Sequence, residues 1–273
     1  MPSLIDSHSH PHFQAFKDDW REVIDSALAK DTWALLVGTQ QETSKRGVEI
    51  AEMYDEGVYA SIAIHPVHRH PSHYDENEIS FQTRGEVFGY ETYKKLAQSK
   101  KVVAIGESGL DYFHVPEGFD QNQVKQDQAK MFREHIELAL ELNLPMSIHC
   151  REAYDDLYNI LKDYPKLRGV AHCYLGDVKQ AEKFFKLGLY IGVTGIVTFK
   201  NAKQLHEVVK TVPLERILVE TDCPYLTPEP HRGKRNLPEY VEFVARRIAD
   251  LRKMDYNAVA EATTKSARSL FNI

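Results

Sequence analysis

Cysteine is scarce in this sequence: three residues, an odd number, cannot make a disulfide framework, and that agrees with a reducing compartment. Long apolar runs are missing as well, so no stretch is suited to crossing a bilayer. Met1-Pro2 leads directly into an extended segment without the basic and apolar regions of a signal peptide, which makes the cytoplasm the expected compartment. Positive charge is not in excess either. With 34 Lys and Arg against 40 Asp and Glu, the formal net charge of −6 excludes a general basic coat for nucleic acid but not a local basic site. No Gly-x-Gly-x-x-Gly follows the first strand and no phosphate-cradling Gly-Lys-Ser/Thr occurs, so nothing favours a doubly wound nucleotide-binding sheet. What is present is ordinary for a globular chain, with 42% hydrophobic and 27% charged residues.

The chain is organised around Ile5-Asp6-Ser7-His8-Ser9-His10. Side chains alternate faces along a strand, so His8 and His10 are expected to point one way and Ser7 and Ser9 the other. Two same-facing imidazoles at a strand end can grip one metal ion, although a lone His-x-His is more often a solvated or satisfied pair. Apolar periodicity then predicts helices over residues 18–29, 42–54, 90–98, 123–142, 153–162, 178–187, 202–209, 238–251 and 257–270. Short apolar runs predict strands at 33–38, 58–64, 102–107, 146–150, 169–173, 190–193 and 217–221. With the opening segment, that makes eight strands alternating with helices. Such a pattern predicts parallel βα units, and eight of them close a barrel of about 250 residues. The expected fold is therefore α/β, a (β/α)8 TIM-type barrel, in a single domain over residues 1–273. Residues 67–89 break the rhythm with prolines, histidines and scattered charge. They read as an irregular surface loop, a lid or substrate rim whose His68, His70 and His73 do not bind metal.

In a barrel the C-terminal strand ends converge on one face, where barrel enzymes carry their sites. His8 and His10 end the first strand, His65 the third, Glu107 the fourth, His149 the fifth, His172 the sixth and Asp222 the eighth. One histidine after a strand is commonly structural, but metal-capable side chains at six of eight strand ends point to a metal site. The count suits two ions, one held by His8, His10 and Asp222 and the other by His149 and His172, with Glu107 bridging. Two cations can clamp the attacking and leaving oxygens of a phosphoryl transfer and bring the pKa of a bound water to about 7. Asp222 and Glu107 are the candidate catalytic carboxylates. Asp222 either accepts a proton from the attacking water or merely begins a loop. Cys150, Cys173 and Cys223 each follow a candidate ligand, and alternation turns them toward the helices as packing residues.

Taken together, these segments resemble the TatD family of metal-dependent deoxyribonucleases, within the amidohydrolase-like barrels. The likeness runs through Asp6-Ser7-His8-Ser9-His10, Ile64-His65-Pro66, Gly106-Glu107-Ser108-Gly109-Leu110-Asp111-Tyr112, Ile148-His149-Cys150-Arg151 and Ala171-His172-Cys173-Tyr174. It continues in Gly192-Val193-Thr194-Gly195, Thr198-Phe199-Lys200-Asn201 and Glu220-Thr221-Asp222-Cys223-Pro224. The resemblance implies a hydrolase of DNA phosphodiesters that uses divalent metal, with His8, His10, Glu107, His149, His172 and Asp222 as ligands. It also implies substrate-phosphate contacts at His65 and Arg151 and magnesium as the usual cation, with DNA as the substrate partner; the composition leads us to expect no membrane association, and no obligate protein partner is evident in the sequence. The imidazole-rich ligand set by itself suits zinc, manganese or nickel better. Three details depart from the family pattern: Val67 stands where a further histidine is common, Leu175-Gly176 where Ser-Gly is common, and the stretch 67–89 is longer than usual.

A scissile phosphate needs positive charge, and the stretch after strand eight supplies Arg232, Lys234 and Arg235 as candidate phosphate contacts. Tyr112, Phe113, Tyr174 and Tyr225 follow strand ends, where they either stack exposed bases or simply pack. A rim of aromatics and cations would favour frayed or single-stranded DNA ends. Two other readings fit the same residues. The same activated water attacks carbonyl carbon, so a small-molecule or acyl-ester hydrolase, including a D-aminoacyl-tRNA deacylase, fits the site residues too. A catalytically idle metal-binding or interaction protein fits less well with the intact ligand set, because a scaffold has no need of an open metal position.

Overall fold

The strands carry apolar side chains on both faces, so both faces must be covered, one by helices and the other by the strands themselves. The computed structural model describes residues 2–76 and 79–273, and the side chains of all of these except 73–76 and 79–82. In chain order the strands are β1 (Leu4–Ser9), β2 (Thr32–Val37), β3 (Val58–Ile62), β4 (Pro71–Glu76), β5 (Ile79–Arg84), β6 (Val102–Asp111), β7 (Met146–Arg151), β8 (Gly169–Ala171), β9 (Tyr190–Val193) and β10 (Ile217–Val219). The helices are α1 (Trp20–Ala29), α2 (Gln41–Ala51), α3 (Tyr90–Leu96), α4 (Gln121–Glu141), α5 (Tyr154–Leu161), α6 (Val178–Lys186), α7 (Lys203–Thr211), α8 (Val241–Arg252) and α9 (Tyr256–Phe271). Eight strands form one sheet in the order β1-β2-β3-β6-β7-β8-β9-β10, every pairing parallel. With a helix after most strands, this is the expected single (β/α)8 barrel.

Alternation sorts the core into two layers. Leu35 and Val37 join Ile5, Val103, Val170 and Leu218 on the inner side, where Leu270 and Phe271 of α9 close the bottom. Ala34 and Leu36 instead join Leu4, Ile62, Ile148 and Ile191 beneath the helices. The seam between β10 and β1 is closed by hydrogen bonds of the chain just beyond β10. Asp222 N donates to His8 O at 2.9 Å, and His10 N donates to Cys223 O at 2.9 Å. Thr221 N donates to Asp6 Oδ1 at 2.8 Å and Thr221 Oγ1 to Asp6 Oδ2 at 2.6 Å. Burial pushes the Asp6 carboxyl well above its usual pKa, against the bonds from Thr221. This buried pair ties the first strand to the last.

Two expectations require correction. Residues 67–89 are not irregular throughout: a 3₁₀ turn (Pro66–Arg69) leads into an antiparallel hairpin, β4 with β5, registered from Pro71↔Arg84 to Glu76↔Ile79. Pro71 opens an edge strand, where the missing N–H costs no ladder bond. Thr83 Oγ1 accepts from Ser72 N at 2.7 Å and pins the base of the hairpin. Strands expected to run to residues 173 and 221 end at Ala171 and Val219. Cys173 and Asp222 have left-handed backbones, φ 44° and 58°, which no strand can contain.

Replacing Thr221 by Val would keep its shape and strand both Asp6 Oδ2 and Cys223 N, which bonds Thr221 Oγ1 at 3.1 Å. A loss of about 1–3 kcal/mol in urea unfolding, with an unchanged m value, is the expected result.

Candidate metal centre

The site is built where alternation is broken. Ile5 and His8 both face inward although they are three positions apart, and a register shift between Asp6 and Ser9 makes this possible. A second shift between Ile105 and Ser108 presents Glu107. Gly106, at φ 152°, permits it: a Cβ there would stand 2.4 Å from Ser147 O of the neighbouring strand. Glu107 is only 4% exposed.

Around Glu107 the side chains from five strand ends meet. Its Oε2 lies 3.3 Å from His8 Nε2, and its Oε1 lies 2.7 Å from His149 Nδ1 and 3.8 Å from His172 Nε2. Asp222 Oδ1 lies 3.2 Å from His10 Nε2, 3.8 Å from His8 Nε2 and 3.8 Å from His172 Nε2. The rings of His8 and His172 stack with centroids 3.4 Å apart. His65, expected among the substrate contacts, sits in the same cluster with Nε2 3.3 Å from Glu107 Oε1. All six candidate ligands are thus brought together. Among the described residues three groups have donor atoms within 4.8 Å of one another: His8, Glu107 and His172; His8, His10 and Asp222, which share His8; and, beside them, His65, Asp111 and His149.

Each imidazole is held from behind by a second partner. His8 Nδ1 meets Ser147 Oγ at 3.0 Å and His10 Nδ1 donates to Val37 O at 2.6 Å. His149 Nε2 faces Asp111 Oδ2 at 3.1 Å and His172 Nδ1 faces Glu220 Oε1 at 2.9 Å. Gly192 leaves the space for Glu220, whose Oε2 would be 2.3 Å from a Cβ on that residue. Asp111, Ser147 and Glu220 were not among the candidate residues. Their parity was the available signal, since Asp111 and Glu107, Ser147 and His149, and Glu220 and Asp222 lie an even number of positions apart.

The donor set suits a cation. A carbonyl occupies His10 Nδ1, so in the neutral ring Nε2 keeps its lone pair and faces an Asp222 oxygen, and two acceptors at 3.2 Å repel unless positive charge lies between them. His8 Nε2 is buried and near Glu107 in distance but not in hydrogen-bond direction, so among the described residues it has no hydrogen-bond partner. Burial opposes ionisation of Glu107 and Asp222. Even so, His65, His8 and His172 hold Glu107 well below the usual carboxylate range, and His172 and His10 lower Asp222. Burial and the neighbouring His172 push His8 down to about 4. Against the same burial, Asp111 and Glu107 raise His149 to about 9, and Glu220, Glu107 and Asp222 raise His172 to about 10.

Other candidates are distributed around this centre. Arg151 lies with its guanidinium 3.8 Å above the Phe113 ring. Asn236 is fully buried and bonds the carbonyls of Thr221 and Tyr225, which anchors the basic loop beside Asp222. Within that loop Arg232 stacks on Phe199 at 3.9 Å, whereas Arg235 pairs with Asp19 and Ala15 O. Arg235 therefore holds the loop in place, and Arg232 and Lys234 supply its remaining charge. Tyr174 is buried with its hydroxyl on Asp177 O, so it packs and does not stack a ligand. Phe113 is 52% exposed and available. Tyr112 donates to Asp156, and Tyr225 lies 6.2 Å from the His10 ring. Cys150 and Cys223 are packing residues as expected. Cys173 is not: its left-handed backbone leaves it half-buried, with Sγ 3.7 Å from Thr194 Oγ1. His70 faces Asp127 at 3.2 Å, and neither His68 nor His70 belongs to a convergent donor group among the described residues. The side chain of His73 lies outside the described residues.

A parallel (β/α)8 barrel whose mouth gathers imidazoles around a buried carboxylate defines a class of hydrolase-type barrels. Residues 5–272 match a family model described as TatD related DNase. The chain belongs to that family, the TatD-type metal-dependent hydrolases. It is 40% identical over 273 residues to YabD of Bacillus subtilis, an uncharacterized metal-dependent hydrolase, with 99% of each chain covered. YcfH of Escherichia coli K12, described in the same words, is 36% identical over 99% of this chain and 96% of its own. The crystal structure of YjjV, a TatD homologue from Escherichia coli K12, superposes with a TM-score of 0.83 at 28% identity, covering 99% of this chain and 98% of that one.

The raised values of His149 and His172 carry a sign. Both lie above the ordinary value of about 6.5, so the stability that the charged rings contribute is complete below about pH 6.5 and is lost as pH rises through 9 and 10. Protein kept in EDTA is therefore expected to show a Tm that falls across that window; a Tm constant from pH 6.5 to 10 would contradict the pairing.

Proposed function

We propose that this chain hydrolyses DNA phosphodiester bonds with the help of two divalent cations, preferring frayed or single-stranded ends. The observation that carries this reading is the division of Glu107, one oxygen toward His8 and the other toward His149 and His172. His8, His10, Asp222 and Glu107 Oε2 would hold one cation, and His149, His172 and Glu107 Oε1 the second. When bound, such ions supply an ionised water near neutral pH and neutralise charge on the phosphate. YabD and YcfH, described as metal-dependent hydrolases, and the family description support the same direction.

The chain's own residues do the rest. Asp222 is the cluster carboxylate with the greatest access to the mouth, its side chain 15% exposed against 6% for Glu107. It is suited to take the proton of the attacking water, and its lowered pKa keeps it ionised for that role. His65 and Arg151 flank the centre and hold the scissile phosphate, while Arg232 and Lys234 hold a flanking one. Partial exclusion of water at this buried floor strengthens each contact with the developing charge. Imidazole donors favour zinc, manganese or nickel, and magnesium remains the family expectation.

In Glu107→Gln one bridging oxygen becomes an amide. kcat on a single-stranded oligonucleotide is expected to fall by about a thousandfold or more, with at least one metal equivalent lost on dialysis; wild-type turnover would overturn the two-cation reading. Neutralising Arg232 and Lys234 together is expected to raise the oligonucleotide KM and reduce its dependence on salt by a slope of about one to two, because fewer counterions are released. Turnover of neutral esters or lactones with no cleavage of DNA would transfer the assignment to an acyl-ester hydrolase.

A further inference from the structure

We propose that His114 is a positioning residue that joins the substrate side of the site, at Arg151, to the metal side, at His149. This rests on the roles given to Arg151 and His149 under the proposed function. His114 lies in the chain just beyond β6, and its ring is mostly buried between Asp111 and Arg151. His114 Nδ1 lies 2.8 Å from Asp111 Oδ2, the same oxygen that faces His149 Nε2 at 3.1 Å. The other oxygen, Asp111 Oδ1, accepts the backbone N–H groups of Phe113 at 3.1 Å and His114 at 2.8 Å. Asp111 is fully buried, and Gln128 clamps its main chain with two bonds of 2.9 Å. On the far side of the imidazole, Arg151 NH1 lies 3.3 Å from His114 Nε2.

The chemistry admits one arrangement. A guanidinium only donates, so His114 Nε2 must accept; the proton then sits on Nδ1, where it is donated to Asp111. A single neutral tautomer satisfies both neighbours at once. Phe113 completes the frame, stacked under Arg151 at 3.8 Å and edge-on to the His114 ring at 4.9 Å. A continuous line therefore runs from Arg151 through His114, Asp111 and His149 to Glu107, whose Oε1 is 2.7 Å from His149 Nδ1. Through Asp111 the His114 ring sets the plane of His149, and directly it sets the angle of the Arg151 guanidinium.

Two amide side chains can separate the halves. Asparagine places an N–H near the position of Nδ1 but nothing at Nε2, whereas glutamine reaches the position of Nε2 and offers Arg151 an acceptor. Cobalt(II) titration by calorimetry reads the metal half, and KM against kcat on a single-stranded oligonucleotide reads the substrate half. His114→Ala is expected to weaken the His149-side cobalt equivalent about 10- to 100-fold and to raise KM about tenfold. His114→Asn should restore cobalt affinity but not KM, and His114→Gln should restore KM but not cobalt affinity. Unchanged cobalt affinity and KM in His114→Ala, or Asn and Gln variants that restore the same parameter, would overturn the assignment. The cobalt arm needs no turnover: if the unmodified chain cleaves no oligonucleotide, the substrate reading fails and cobalt affinity still decides whether His114 positions His149.

Discussion

A carboxylate buried among imidazoles is the constraint on which the rest of this structure depends. An ion taken out of water costs several kcal/mol unless opposite charge or good donors replace its hydration. Glu107 is almost wholly buried, and what replaces water around it comes from four other strand ends: His8, His65, His149 and His172. None of these is near Glu107 in the chain. The barrel must therefore close, and with the right stagger, before the charge at its mouth can be tolerated. Closure in turn rests on the Asp6–Thr221 pair and the main-chain bonds that join the end of β10 to β1.

The same constraint explains why the strands are irregular where the site lies. A regular parallel ladder would alternate strictly and could not present Ile5 and His8, or Glu107 beside Ser147, on one surface. Register shifts in β1 and β6 and an open glycine at 106 turn these side chains inward. Behind each imidazole a second group fixes the ring: Ser147, the Val37 carbonyl, Asp111 and Glu220. Such partners fix which nitrogen faces the cluster, so the donors are aimed before any ligand arrives.

Much of this was legible from residue order. Eight apolar runs at βα spacing predict the barrel, and the position of each His, Glu or Asp after a run predicts that they converge, because parallel strands share one C-terminal face. The six ligand candidates and His65 meet as that logic requires. What escaped was contact between residues far apart in the chain. Nothing local marks Arg235 as the partner of Asp19, or Tyr174 as a packing residue, or Asn236 as the pin of the basic loop. The hairpin β4–β5 escaped for another reason: prolines and charges concealed a pairing that depends on its two strands matching each other and not on a buried face of its own.

The sequence by itself determined the fold class, the face on which the site lies and the identity of its metal-capable side chains, since periods of two and 3.6 residues and strand polarity are properties of the chain alone. Only the tertiary structure decided which oxygen of Glu107 meets which imidazole, which groups stand behind them, and which cations remain uncommitted. It also decided that Cys173, expected to turn away with the other cysteines, sits half-buried on a left-handed backbone beside the centre. The physical reason is that hydrogen-bond direction and charge compensation act over a few ångströms. Such distances are set by bulges, turns and closure, and none of these follows from the order of residues along a single strand.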